Sequence, residues 1–139
     1  MPLLVTDRNG SCVAAIHAGW RGLAAGVIEA TLKKLTVPSK DLLVWLAPAI
    51  GPDVFEVGDE VYQQFVEHDP QAKQAFKRNN NNRWLANIYL LAKQRLNAHD
   101  VTQIFGGDFC TYTDKERFYS YRRDKQTGRM ASLIWLSNK

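Results

Sequence analysis

Apolar and polar positions in the N-terminal part of the chain follow two different periods. Residues 3–6 form a short apolar run, and Asn9-Gly10 follows it, the dipeptide most typical of a β-hairpin turn. Residues 12–17 are the expected partner strand. From Leu23 to Leu35 the apolar residues recur at helical spacing, which predicts one amphipathic helix of about three turns.

The rest of the chain alternates between the same two kinds of pattern. Residues 42–46 are all apolar, which predicts a central strand covered on both faces. The other predicted elements are a helix over 57–65, a polar loop over 79–82, a helix over 84–98, a strand over 101–105 and a terminal hairpin of 118–122 with 130–136. This order predicts a single α/β (α+β) domain over residues 1–139, a layered sandwich of a mixed β-sheet and helices.

Composition and charge narrow the range of partners. The chain is 45% hydrophobic and 23% charged, as in ordinary globular domains, and its net charge is +4. Its basic residues are scattered apart from one cluster, whereas a nucleic-acid groove needs a denser stripe, so we expect no nucleic-acid partner. The cluster consists of Arg117, Arg122, Arg123, Lys125 and Arg129.

Two further features bear on the cellular setting. No apolar run approaches the ~18 residues of a membrane-spanning helix, so we expect no membrane partner. The two cysteines, Cys12 and Cys110, lack the spacing of a metal-binding motif and favour a reducing, cytoplasmic setting.

Residues 17–22, with the sequence HAGWRG, are the first candidate for chemistry. A strand ends at His17, Gly19 lets the backbone approach a ligand, and a helix begins near Arg21. This combination suits a metal or a general base beside an anionic oxygen. On spacing alone, a hydrogen-bonded core histidine and a surface arginine are slightly favoured instead, because zinc needs at least three protein ligands.

Two other segments carry reactive side chains. Asp108 and Cys110 follow a predicted strand end, where they could orient a histidine or supply a nucleophile, although a capped turn with an inert cysteine is commoner. Arg122 and Arg123 are predicted to point to opposite faces of a strand. One of them could therefore grip a phosphate or carboxylate, and the alternative is a charged edge strand.

Taken together, five segments resemble one known family in order and spacing. The resemblance covers essentially the whole chain, and the family is the YfiH-like one, named variously for laccase-domain proteins, purine nucleoside phosphorylases and peptidoglycan editing factors. The segments are residues 16–22 (IHAGWRG), 49–52 (AIGP), 55–58 (FEVG), 107–111 (GDFCT) and 120–123 (SYRR) with Gly128-Arg129.

The resemblance implies a layered α/β sandwich and a zinc ion held by two histidines and one cysteine, with His17 as one ligand. It also implies phosphorolysis of adenosine, inosine and methylthioadenosine, with some adenosine deamination. The implied partners are a purine nucleoside and phosphate. Laccase-type oxidation of polyphenols with copper is a further activity that the resemblance implies. Copper is the less favoured metal, because one histidine and two scattered cysteines cannot build a multicopper centre.

The family pattern also implies that two zinc ligands are missing from this sequence. In the family, an Ala-Asp-Cys segment runs directly into a strand that resembles residues 1–5, and Cys12 does not match that cysteine. We therefore expect an N-terminally truncated, C-terminal part of a family member, with weak zinc binding and little turnover. We also expect homo-oligomers to form through exposed sheet edges.

Charge and proximity to these motifs suggest further roles. Arg21 and one of Arg122 or Arg123 would bind phosphate, Gly19 would let the substrate approach, and Asp108 would orient His17 or bind the ribose hydroxyls. A second hypothesis is editing of a peptidoglycan precursor by a Cys–His pair. A third is a domain that only binds a partner, in which case removing the His17 imidazole would leave function intact.

Overall fold

The fold is described by a computed structural model over residues 1–137. The strands are β1 (Pro2–Asp7), β2 (Val13–His17), β3 (Leu42–Leu46), β4 (Glu56–Val57), β5 (Phe76–Arg78), β6 (Trp84–Ala86) and β7 (Gln103–Gly106). The α-helices are α1 (Trp20–Ala24), α2 (Val27–Leu32), α3 (Asp59–His68), α4 (Ile88–Asn97) and α5 (Tyr121–Asp124), with short 3-10 turns at Ser39–Asp41 and Pro70–Ala75. The mixed α/β prediction is therefore confirmed.

The larger sheet has four strands in the order β2-β1-β3-β7. Strand β1 pairs antiparallel with both β2 and β3, and β3 pairs parallel with β7. In this register Val5 lies opposite Ala14 on one side and Val44 on the other. The predicted hairpin of β1 and β2 is thus confirmed, and residues 42–46 do form an inner strand.

One face of this sheet carries the hydrophobic core. Leu3, Val5, Val44 and Leu46 point to that face and are completely buried. Leu23, Ile28 and Leu96 bring α1, α2 and α4 into the same core cluster. The opposite face is less covered among the described residues: Leu4 is buried there, but Trp45 is 39% exposed, which corrects the prediction that β3 is buried on both faces.

A smaller sheet of three short strands, in the order β4-β6-β5, packs against α3 through aromatic side chains. Its aromatic side chains hold it together. Tyr62 on α3 stacks on Trp84 with ring centroids 4.0 Å apart, and Phe76 meets the Tyr62 ring edge-on at 5.3 Å. The predicted polar loop at residues 79–82 is the turn that joins β5 to β6.

Two predicted helices differ from the observed ones for local reasons. The helix expected over 23–35 is split in two, because Gly26 adopts a left-handed conformation with φ of 88°. The helix expected from residue 84 begins only at Ile88. Asn87 caps it by accepting a hydrogen bond from the Leu90 N–H at 2.9 Å, and the preceding residues belong to β6.

The predicted terminal hairpin is wrong. Ser120 accepts a hydrogen bond from the Arg123 N–H and begins the short helix α5 where a strand was expected. Residues 130–136 are outside any helix or strand. Local capping by Ser120 therefore overrides the strand propensity of the tyrosines on either side of it.

Candidate functional site

A groove with a volume of about 740 Å³ opens between the uncovered sheet face and the C-terminal segment. His17 and Trp45 line it from the sheet, while Arg117, Arg122 and Arg129 line it from the segment after β7. The described residues that line this groove include three arginines and one histidine but no carboxylate. Arg117 is already paired with the carboxylate of Asp114, so Arg122 and Arg129 supply the positive charge that favours an anionic ligand.

His17 occupies the last position of β2, opposite Pro2, and its side chain is exposed to the groove. The next residue is tied to the end of β1, since the Ala18 N–H donates to the Met1 carbonyl at 2.8 Å. A Cβ atom at position 19 would lie 3.3 Å from His17 Nε2. Gly19 therefore contributes to the site by leaving room for the imidazole, because a larger residue would crowd the ring.

Arg122 is anchored at the groove in two ways. Its Nη1 donates to the Glu56 carbonyl at 2.9 Å, and its guanidinium lies 5.5 Å from the centre of the Phe55 ring. These contacts use one face and one nitrogen of the guanidinium. The remaining donors can be offered to a ligand.

Arg123 has a different environment. It donates to the carbonyls of Thr111, Tyr112 and Phe118 at 2.9–3.0 Å, and it pairs with Asp124 at 2.8 Å. The hydrogen bond to Asp124 raises the pKa of Arg123. Since its guanidinium is surrounded by backbone carbonyls, Arg123 ties the segment before α5 to the segment after β7.

Two other predicted site residues lie outside this groove. The Arg21 guanidinium lies 4.6 Å from the centre of the Trp20 ring and is exposed. Asp108 is also exposed and lines a separate pocket of about 220 Å³. The structure thus brings His17 and Arg122 to one groove, and places Arg21 and Asp108 outside its lining.

Cys110 lines the separate pocket with Asp108 and accepts a hydrogen bond from the Gly51 N–H at 3.2 Å. Burial raises the pKa of this thiol, but hydrogen bonds from Thr113, Gly51 and Tyr112 outweigh burial and lower the pKa overall. A Cβ at position 51 would lie 3.0 Å from Cys110 Cβ, so glycine permits this approach. The sequence prediction of an inert cysteine did not anticipate these donors.

The donor groups of the described residues do not fit a metal centre on their own. No cluster of three or more His, Cys, Asp or Glu side chains in residues 1–137 is placed to hold a metal ion. Within the same range, no helix has the length and apolar character to cross a membrane. Cys12 and Cys110 are both free thiols.

Comparison with known proteins gives a consistent picture. The family model for multi-copper polyphenol oxidoreductase laccase matches residues 1–137. Purine nucleoside phosphorylase PA4543 of Pseudomonas aeruginosa is 58% identical over 99% of this chain and 57% of its own length. Purine nucleoside phosphorylase YfiH of Escherichia coli is 55% identical over 98% of this chain and 56% of its own.

Solved structures agree with this result. Protein NMB0706 of Neisseria meningitidis, of family DUF152, superposes with a TM-score of 0.96 at 46% identity, over 99% of this chain and 57% of that one. Bacillus licheniformis YfiH gives a TM-score of 0.79 at 26% identity, over 89% of this chain and 49% of that one. The chain spans just over half the length of the curated relatives cited above. It belongs to the YfiH-like family of laccase-domain proteins.

Proposed function

We propose that this chain contributes the anion-binding part of the active site of a purine nucleoside phosphorylase. The observation that carries the proposal is the groove whose described lining contains three arginines, His17 and no carboxylate. The purine nucleoside phosphorylase names of relatives at 58% and 55% identity support the same reaction class. The activity of the whole protein remains part of the proposal, because this chain spans about 57% of such a relative.

In the proposed reaction an oxygen of phosphate forms a bond to C1′ of the nucleoside while the C1′–N9 bond breaks. The base leaves with the bonding electron pair and takes up a proton, and ribose 1-phosphate is the other product. Phosphate must be held beside a sugar and stripped of part of its water, which requires fixed cationic donors. Arg122 is the best-anchored candidate, and Arg129 lies on the same groove, whereas Arg117 is already paired with Asp114.

The roles proposed for the remaining residues follow from where they lie. His17 would place a ring nitrogen at the reacting end of the groove, and Gly19 would keep that ring accessible. Arg123 would position the loop that carries Arg122 through its carbonyl contacts. Phosphate binding by Arg21 and ribose binding by Asp108 remain predictions, and both would require a substrate that extends beyond the groove lining.

We further propose that the whole protein acts on adenosine, inosine and methylthioadenosine, that it binds zinc, and that it also deaminates adenosine. The described donors include one histidine on the groove, so a zinc ion would need ligands from outside these residues. We accordingly expect weak zinc binding and little turnover by the 139-residue chain alone. Tight stoichiometric binding in a zinc titration would contradict this expectation. A cytoplasmic location is a further prediction.

A hybrid protein tests the proposed function. In this hybrid, these 139 residues replace the matching segment of the Pseudomonas relative. The rest of the relative's chain is kept, so that the hybrid has the relative's full length. We expect the hybrid to release hypoxanthine from inosine in a phosphate-dependent manner. Arg122→Ala should raise the KM for phosphate about tenfold or more, because it removes a charged hydrogen-bond donor.

The matched controls are His99→Ala for His17→Ala and Arg8→Ala for Arg122→Ala. His99 and Arg8 are exposed and lie outside the groove lining. The proposal requires that the His17 variant loses most turnover while the His99 variant keeps it. If the hybrid is folded but base release does not depend on phosphate, or both histidine variants behave alike, the proposal is wrong.

A further inference from the structure

The ring of Tyr119 is held on one side by the polypeptide backbone and is open on the other. It lines the groove and is 55% exposed. A Cβ atom at position 128 would lie 2.7 Å from Tyr119 Cε2 and 2.8 Å from Cζ. Only glycine at position 128 lets the main chain lie this close to the ring, which therefore presents a fixed flat surface to the groove.

The loop on which the ring rests is itself held by internal hydrogen bonds. Arg129 Nη1 donates to the carbonyls of Thr127 and Gly128 at 3.1 and 3.2 Å. Residue 118, next to Tyr119, packs on the ring of Phe109 with centroids 5.5 Å apart. The hydrogen bonds order the loop internally, and the packing of Phe118 fixes the backbone next to Tyr119, which lowers the entropy cost of binding a ligand there.

A buried hydroxyl lies in the same loop. Thr127 lines the groove, and its Oγ1 is buried without a hydrogen-bond partner among the described residues. A buried hydroxyl that makes no hydrogen bond costs free energy, and the described residues supply no partner for this one. A hydroxyl can both donate and accept, so it suits the nitrogen and oxygen atoms at the edge of a nucleobase.

We propose that Tyr119 and Thr127 form the nucleobase subsite of this groove. Tyr119 stacks on the face of the purine, Thr127 Oγ1 hydrogen-bonds to its edge, and Gly128 positions the tyrosine ring. This inference rests on the proposed function, since it assigns the base to one part of the groove and leaves the arginines for phosphate. A purine face is flat and apolar, and stacking on a tyrosine tolerates either adenine or hypoxanthine.

Equilibrium dialysis of the 139-residue chain against labelled adenosine tests the subsite directly, with labelled ribose 1-phosphate as a ligand that lacks the base. Tyr119→Ala should weaken adenosine binding by roughly 5- to 150-fold, the range expected for loss of one stacked base. Its affinity for ribose 1-phosphate should stay within about twofold. Tyr119→Phe should bind adenosine like the wild type, because the stacking surface is kept.

Two further variants separate stacking from hydrogen bonding. Thr127→Val keeps the shape of the side chain and should weaken adenosine binding about fivefold, as expected for one hydrogen bond. Gly128→Ala should weaken it although Tyr119 is unchanged. Trp135→Ala removes a 74% exposed aromatic residue that lies outside the groove lining, and it should have no effect. Circular dichroism of each variant checks that it is folded.

The subsite is overturned if the folded Tyr119→Ala variant binds adenosine as the wild type does, if it loses both ligands equally, or if the wild type binds no adenosine at millimolar concentration. Its failure can be told apart from failure of the proposed function. Phosphorolysis by the hybrid with an unchanged nucleoside KM in Tyr119→Ala would sink the subsite alone. Base-dependent binding together with a hybrid that performs no phosphorolysis would sink the proposed reaction alone.

Discussion

The two faces of the four-stranded sheet are made by alternate residues of the same strands, yet they are covered very differently. On the core face, Val44 and Leu46 are fully buried beneath the helices. On the open face, Trp45 is 39% exposed and Phe105, beside it on β7, is 52% exposed. His17 lies on this open face at the edge of the candidate groove.

The difference shows that apolar character alone does not identify a core position. Residues 42–46 are uniformly apolar, but only alternate side chains meet the helices. The core face supplies the free energy of folding, while the open face places an imidazole and an aromatic ring where a ligand can reach them.

The largest expected effect is on the stability of the core face. Leu46→Ala should lower the free energy of unfolding by about 2–5 kcal/mol, because it leaves a cavity among fully buried side chains. Trp45→Ala, one residue earlier on the open face, should cost clearly less. Urea denaturation of both variants measures the two costs, and equal costs would mean that the open face is covered in solution.

Asp7 is the one carboxylate on the core face of β1, and it should make stability depend on pH. Burial raises its pKa, but hydrogen bonds from Ser11, Cys12 and Asn9 outweigh burial and hold the pKa well below the ordinary value of 3.8. The carboxylate therefore stabilises the fold fully above pH 3.8, and its contribution is lost as the pH falls below that value.

Replacing this carboxylate tests the sign of the effect. Asp7→Asn should be less stable than the wild type at pH 7, and the two curves of unfolding free energy should converge as the pH is lowered. Asp41→Asn is the control, since that side chain is only partly buried. A constant difference between Asp7→Asn and the wild type from pH 7 to pH 2 would contradict the assignment.

The two free cysteines should differ in their reactivity towards alkylating reagents. Hydrogen bonds lower the pKa of Cys110, whereas burial and the nearby Asp7 raise that of Cys12. Iodoacetamide at pH 7.5 should therefore label Cys110 at least roughly threefold faster than Cys12, because the thiolate is the reacting species. Mass spectrometry of digests gives both rates. Thr113→Ala removes one hydrogen-bond donor to the Cys110 sulfur and should bring the two labelling rates closer together. Faster labelling of Cys12 than of Cys110 in the wild type would contradict the prediction.

The smallest expected effect concerns association. Trp45 and Phe105 form an apolar area on the open face, at the sheet edge formed by β7. Phe105→Ser should shift sedimentation of the chain toward the monomer and change the unfolding free energy by less than about 1 kcal/mol. An unchanged sedimentation profile would show that neighbouring copies do not use this face.

Several elements could be predicted from local sequence because their causes are local. The Asn9-Gly10 turn and the apolar run before it specify the β1–β2 hairpin, and the 3.6-residue period marks α3. The split at Gly26 and the late start of α4 at Ile88 were missed. In both cases a single backbone conformation or cap outweighed the apolar pattern around it.

The candidate site was predicted only in part. The motif around residue 17 identified His17 and Gly19, and the basic cluster pointed to Arg122 and Arg123. Adjacent residues on a strand would face opposite sides, whereas α5 turns Arg122 to the groove and Arg123 to backbone carbonyls. Tyr119 and Thr127 were not predicted. Tyr119 is a candidate because its ring lies against Gly128, and Thr127 because its buried hydroxyl has no hydrogen-bond partner among the described residues, and neither property is visible in the sequence.

The sequence by itself determined the family, the α/β class and the residue types available for chemistry, since these depend on motifs and on periods of two or four residues. Tertiary structure alone decided which face of the sheet is open, which of two neighbouring arginines reaches the groove, and which cysteine has the lower pKa. Those properties depend on burial and on hydrogen bonds between residues distant in the chain, such as Gly51 with Cys110 and Glu56 with Arg122.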